Sequence, residues 1–150
     1  MSNEISTKVN EISQFIVIYI GEEQYGIDIR YIDNIVRMQQ ITRVPKVPNY
    51  LKGVINLRGE VIPVMSLRLK MELDEDEITK DTRIIILKLN QHEPIGLIVD
   101  SVKEVVNINM PEVEKVTFDT KDDRTSYVQG IAKQNEDLIS LLDLGTVLQE

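Results

Sequence analysis

The sequence predicts a mainly β fold of two small closed barrels, about five strands each, with short helices between strands and at the C-terminus. Three observations predict it. The apolar runs are rich in β-branched residues and too short for ordinary buried helices; turn residues recur at regular intervals; and the two halves of the chain match each other in order.

The self-match is the strongest of the three. Residues 25–36 align on 95–106, Gly26 on Gly96 and apolar on apolar, each block following an apolar run. Further on, 50–55 align on 127–132 and 61–67 on 138–144, with the same spacing from Gly53 to Leu67 as from Gly130 to Leu144. Ser66 and Asp143 fall at equivalent places, each a good N-cap for a short helix. A duplicated unit accounts for all of these pairings at once.

Taken in order, residues 15–20 and 84–89 read as strands, and Glu22-Glu23 and Gln91-His92-Glu93 as the hairpin turns that follow them. Ile29, Ile32 and Ile35 or Val36 recur at helical spacing and predict one or two helical turns. The equivalent Val99, Val102 and Val105 or Val106 fit either the same turns or a bulged strand. Residues 53–57 and 60–65 form a hairpin around Arg58-Gly59, where glycine supplies the backbone freedom a tight turn needs. The second half closes its own hairpin near Asn135-Glu136-Asp137. The expected division is a first barrel from 15–71 plus nearby strands and a second from 82–148. Residues 72–81 are then an acidic linker and 117–126 a polar loop.

Composition narrows the function classes. At 150 residues, with 42% hydrophobic and 28% charged, the chain has the balance of a globular protein able to bury a core. Its apolar runs fall well short of the roughly 20 residues that span a bilayer, and residues 1–14 lack a signal-peptide apolar segment. A formal charge of −8 with 5% aromatics argues against a nucleic-acid partner, which needs a concentrated basic footprint. With no cysteine there is neither a disulfide framework nor a thiolate site, which fits a reducing compartment.

The inventory for chemistry is thin. His92 stands alone in an expected turn, and no serine sits in a nucleophile-elbow context, so no catalytic triad is expected. One histidine without cysteine makes a poor zinc site. The run Asp74-Glu75-Asp76-Glu77 lacks the Asp/Asn alternation and central glycine of a calcium loop and reads as a solvated charge run. Asp28 and Asp100, both beside strands, read as structural caps rather than a paired acid and base. Glycines are scattered with no phosphate loop, so no cofactor is expected, and Pro45-Lys46-Val47-Pro48 reads as a rigid crossover before it reads as a polyproline ligand.

The segment 52–59 points to binding instead. Strand alternation turns Ile55 and Leu57 inward and sets Val54, Asn56 and Arg58 together on the outer face, a composition suited to a protein-binding patch. The same pattern also fits a plain turn that Arg58 merely decorates. The second half places Ile131, Lys133 and Asn135 at these positions, so the two halves present different surfaces.

Tyr25-Gly26-Ile27-Asp28-Ile29, Ile41-Thr42-Arg43-Val44-Pro45, residues 53–59, Ile62-Pro63-Val64 and Gly96-Leu97-Ile98-Val99-Asp100 together resemble the CheW family of chemotaxis coupling proteins. The likeness runs from about Phe15 to Leu148, and the Asn-Leu-Arg-Gly hairpin is among its more specific features. It implies two packed SH3-like barrels, no catalysis and no cofactor or metal. The partners it implies are chemoreceptor cytoplasmic tips and the regulatory domain of the histidine kinase CheA, at the cytoplasmic face of the membrane. Carried over by position, receptor-facing residues are Ile32, Asn34, Gly53, Val54, Asn56 and Arg58, with Thr82 beside the groove between barrels; kinase-facing residues are Glu23 and Ile29. Asn34 departs from the pattern, where an acidic residue is common. Competing expectations are a CheW-like module of a CheV or CheA type protein, or a divalent-metal β-barrel enzyme.

Overall fold

Alternating and β-branched apolar runs dominate the chain, and they form strands almost throughout the computed structural model, which describes residues 11–90, 93–115 and 127–149. In chain order these are β1 (Ile12–Ile20), β2 (Glu23–Asp28), β3 (Ile32–Arg37), β4 (Leu51–Leu57), β5 (Glu60–Ser66), β6 (Arg83–Leu87), β7 (Ile95–Val99), β8 (Ser101–Asn109), β9 (Glu114–Lys115), β10 (Val128–Gln134) and β11 (Asp137–Leu142). Short helices α1 (Leu67–Lys70) and α2 (Leu144–Val147) follow the last strand of each half. Ser66 and Asp143 cap them as expected: Ser66 Oγ accepts from the Leu69 N–H at 3.1 Å and Asp143 Oδ1 from the Thr146 N–H at 3.4 Å. Residues 91 and 92 of the expected turn at 91–93, and the polar loop at 117–126, lie outside the described residues.

Two compact units result, and they do not follow the halves of the sequence. Among the described residues, one comprises 11–18, 22–30, 103–115 and 127–149, and the other 19–21, 31–90 and 93–102. The first holds a six-stranded sheet in the order β8-β1-β2-β11-β10-β9, the second a five-stranded sheet in the order β3-β6-β7-β5-β4. Parallel pairing joins the halves: β2 lies on β11 with Gly26 opposite Leu141, and β7 on β5 with Gly96 opposite Val64. The second strand of each half thus pairs with the last long strand of the other, which corrects the expected division into a first barrel from 15–71 plus nearby strands and a second from 82–148. The aligned glycines allow close packing. A Cβ added to Gly26 would sit 2.8 Å from Leu141 Cδ2, and one on Gly96 2.7 Å from Ile84 Cγ2.

Both sheets are open in strand order, and one edge of each is finished by a very short pairing. In the five-stranded unit the chain leaving β3 bridges the outer side of β4, with Thr42 and Val54 exchanging two backbone hydrogen bonds of 2.8 Å. In the six-stranded unit the two residues of β9 pair with Gly130 and Ile131. Val54 and Ile131 are aligned in the repeat, so the duplication extends to the way these sheet edges are finished.

A core fills each unit. Phe15, Val17, Val106, Ile108, Ala132, Ile139 and Leu141 form one, with Met110 and Val113 against it. Ile55, Ile62, Val64, Ile84, Ile86 and Ile98 form the other, joined by Val36, Met38, Ile41 and Leu57. Burying each large aliphatic side chain contributes about 1.5–3 kcal/mol relative to exposure.

Helical turns after β2 are confined to a 3-10 turn at Ile29–Tyr31, and the run from Ile32 is strand. The register explains the misleading spacing: it shifts between Ile32 and Asn34, so an extra residue at Asp33 places Ile32 and Ile35 on one side of the strand although they are three apart. The equivalent run after β7 is also strand, β8.

Candidate interaction surface

The hairpin β4–β5 turns through two residues, Arg58 at φ 55° and Gly59 at φ 83°, between the paired Leu57 and Glu60. Positive φ at both centres matches the right-handed twist of the flanking strands. Asn56 braces the turn, its Oδ1 accepting from the Gly59 N–H at 3.1 Å. The aligned turn of the other half has Asn135 at φ 58° where Arg58 stands. Asparagine adopts that conformation readily, whereas arginine rarely does. Arginine at this position is a local expense that the turn itself does not explain.

Alternation holds along β4. Ile55 lies in the core at 2% exposure and Leu57 packs on it, while Asn56 and Arg58 are exposed and Val54 is half-buried. The outer strip of β4 therefore carries Val54, Asn56 and Arg58 together. Two residues that the strand reading left out extend it: Pro63 pairs with Val54, and Val61, 63% exposed, pairs with Asn56. The signal for Val61 was present, since it alternates with buried Ile62.

The remaining candidates on this unit divide. Ile32 and Asn34 are half-buried on β3, at the opposite end of the sheet order from β4, and connect to the strip through residues 38–42 and the Thr42 bridge. Asn34 Oδ1 accepts from the Ile35 N–H at 2.9 Å, so its oxygen serves the bulge. Gly53 and Thr82 are buried, Thr82 to 2% exposure with its Oγ1 accepting from the Thr79 N–H. Neither offers side-chain surface; Gly53 lets Thr42 approach β4. Its φ is +145°, and a Cβ there would collide with the Thr42 carbonyl oxygen.

On the six-stranded unit Glu23 is exposed at the start of β2 and Ile29 is half-buried in the 3-10 turn. Beside Ile29, Asp28 Oδ2 meets Arg30 Nη2 at 2.7 Å, and Asp28 Oδ1 accepts the Arg30 backbone N–H at 3.0 Å. Burial opposes the Asp28 charge, but the Arg30 side chain, its N–H and its charge together outweigh that and hold the carboxyl below its usual range. A shallow depression of about 330 Å³ runs past these residues and Ile12.

Asp100 belongs to the other unit and is likewise committed. Arg68 Nε and Nη2 donate to its two oxygens at 2.9 and 2.5 Å, and the Gly21 N–H donates at 2.7 Å. Burial again opposes the charge and these donors more than offset it, leaving the carboxyl lowered. Both aspartates act as ties and caps of turns.

The acidic run is less solvated than its composition predicts. Glu75 Oε1 sits 2.6 Å from Lys52 Nζ, and Asp76 Oδ2 accepts from Ser66 Oγ at 2.5 Å while its Oδ1 is buried without a hydrogen-bond partner. The run is thereby tied onto the five-stranded unit. Among the described residues no group of three or more His, Cys, Asp or Glu side chains is placed to hold a metal ion, and no helix is long and apolar enough to cross a membrane.

Shared strands, paired short edges and a braced outward hairpin define a β scaffold built by internal duplication. The chain belongs to the CheW family: the model of the CheW-like domain matches residues 14–150. It is 39% identical to a chemotaxis protein CheW of Helicobacter pylori, over 93% of this chain and 84% of that protein. It is 36% identical to the one of Bacillus subtilis, over 100% and 93%. The crystal structure of the scaffolding protein TtCheW from Thermoanaerobacter tengcongensis superposes with a TM-score of 0.82 at 34% identity, covering 92% of this chain and 88% of that one. The protein is thus a chemotaxis scaffold in family and fold.

Proposed function

We propose that the protein is a non-catalytic adaptor that couples chemoreceptor cytoplasmic tips to the histidine kinase CheA, at the inner face of the membrane. The observation that carries this reading is Arg58, kept exposed in a left-handed turn where the aligned position has asparagine. Its planar donors, beside Asn56, Val54 and Val61, suit carboxylates or backbone carbonyls of a receptor. Ile32 and Asn34 would extend the receptor contact along β3, and buried Gly53 and Thr82 would hold its shape. Glu23, and Ile29 with the depression beside it, would meet the kinase regulatory domain.

Calorimetric titration of Arg58→Ala against a receptor cytoplasmic fragment and, separately, the CheA regulatory domain tests the assignment. Receptor affinity is expected to fall by about 1–3 kcal/mol, the kinase affinity to hold, and stability to change by about 0.5 kcal/mol or less. Unchanged receptor affinity, or equal loss for both partners with a large fall in stability, overturns it.

A further inference from the structure

The crossover between β3 and β4 folds into a depression of about 530 Å³ whose charge opposes that of the chain. Arg43, Lys46 and Lys52 line it against one carboxylate, Glu75, in a protein of net charge −8. Arg43 and Lys46 are exposed and form no ion pair among the described residues. Lys52 is occupied, and its occupant is informative. Glu75 arrives from the acidic run and seats its carboxylate 2.6 Å from Lys52 Nζ, so this surface already binds one carboxylate supplied by the chain itself.

Apolar surface lies between the cations, where Val44 is 38% exposed and Pro45 and Val47 share the lining. The loop is preformed. Pro45 and Pro48 fix their own φ angles, Lys46 is held at φ 60°, and the Leu51 N–H donates to the Pro48 carbonyl at 3.0 Å. The Thr42 bridge anchors one end, and the Ser66 N–H donating to the Tyr50 carbonyl at 2.7 Å anchors the other.

We infer that this groove is a docking site for an extended acidic segment of a partner protein. The partner's carboxylates engage Arg43 and Lys46 and displace Glu75 from Lys52, and its apolar side chains lie on Val44 and Pro45. A nucleic acid is disfavoured by the charge of the whole chain, and a bare anion would leave the apolar lining unused. The site is separate from the strip around Arg58 and stands whether or not the receptor and kinase assignments hold. Glu75 makes it self-limiting, an internal carboxylate that an incoming one must replace.

Fluorescence anisotropy with a short labelled peptide of Glu, Leu and Pro, and the same peptide with Gln for Glu, tests it. Saturable binding of the Glu peptide is expected, with the Gln peptide much weaker. The double variant Arg43→Glu/Lys46→Glu should weaken binding at least about fivefold, and Glu75→Gln should tighten it about two- to fivefold, as expected for exposed ion pairs made or freed. Arg43→Gln/Lys46→Gln should give a smaller loss in the same direction, and Arg58→Ala no change. The inference is overturned if the Glu peptide does not bind, if the Gln peptide binds equally, if neither double variant weakens it, or if Glu75→Gln weakens it. Full displacement by equal concentrations of inorganic phosphate, or loss of peptide binding in Arg58→Ala, overturns it as well.

Discussion

The surroundings of Asp76 disfavour its charged form. Burial is the largest influence and raises its carboxyl pKa, the charges of Glu75 and Asp100 add to that, and the Ser66 hydroxyl and Lys52 only partly offset it. An acid whose folded pKa lies above its unfolded value of 3.8 binds a proton more tightly when folded. The native state therefore gains stability as pH falls through the raised value and loses that gain as pH rises. Asp76→Asn keeps the hydrogen bond to Ser66 without the charge, so its melting midpoint should exceed wild type at neutral pH, and the difference should vanish near pH 3.8. Melts across that range check this, and equal midpoints at neutral pH would refute it. Asp28 and Asp100 work with the opposite sign: their folded values are lowered, so the stability they contribute is present above 3.8 and lost as pH falls through the folded values. At this scale sequence reading found Arg58 and Asn56 because alternation is local. It missed the burial of Thr82 and Asp76, which follows from chain segments far away in sequence.

At the scale of elements, the two hairpins carry the duplication with different tolerances. Both have a register shift just before the aligned glycine, between Leu51 and Gly53 in one and Val128 and Gly130 in the other. Gly53 combines a φ that disfavours any side chain with a backbone obstacle, the Thr42 carbonyl; Gly130 has no such φ and meets first the Val113 side chain, which can shift. Gly53→Ala should therefore destabilise more than Gly130→Ala, by roughly 2–4 kcal/mol against 1–2 kcal/mol, and the aspartate variants should be worse at both. Urea titrations of the four variants give the order directly, and the reverse order would show that the Thr42 bridge yields easily. The hairpins and caps were legible because turn chemistry and N-caps are local. Strand β3 was misread as helical because one bulged residue converts a period of two into an apparent period of three.

At the scale of the whole molecule, each sheet requires strands from both halves of the sequence. Separately produced fragments 1–78 and 79–150 should each lack the parallel partner of their central strands, β11 for β2 and β5 for β7. Each alone should show little dispersed amide NMR signal, and mixing should restore a folded spectrum; a cooperatively folded fragment by itself would contradict the pairing. The sequence by itself determined most of the strands, the two hairpins, the helix caps, the duplication and the family resemblance, because each rests on patterns within a few residues or on direct self-comparison. Which strand pairs with which was decided only in the tertiary structure. Because the two halves repeat one unit, local pattern does not distinguish pairing within a half from pairing across halves, and the choice shows only in contacts remote in sequence, such as Gly26 against Leu141 and Gly96 against Val64. The same holds for the acidic run, whose composition predicts solvation and whose place on the five-stranded unit is set by Lys52 and Ser66.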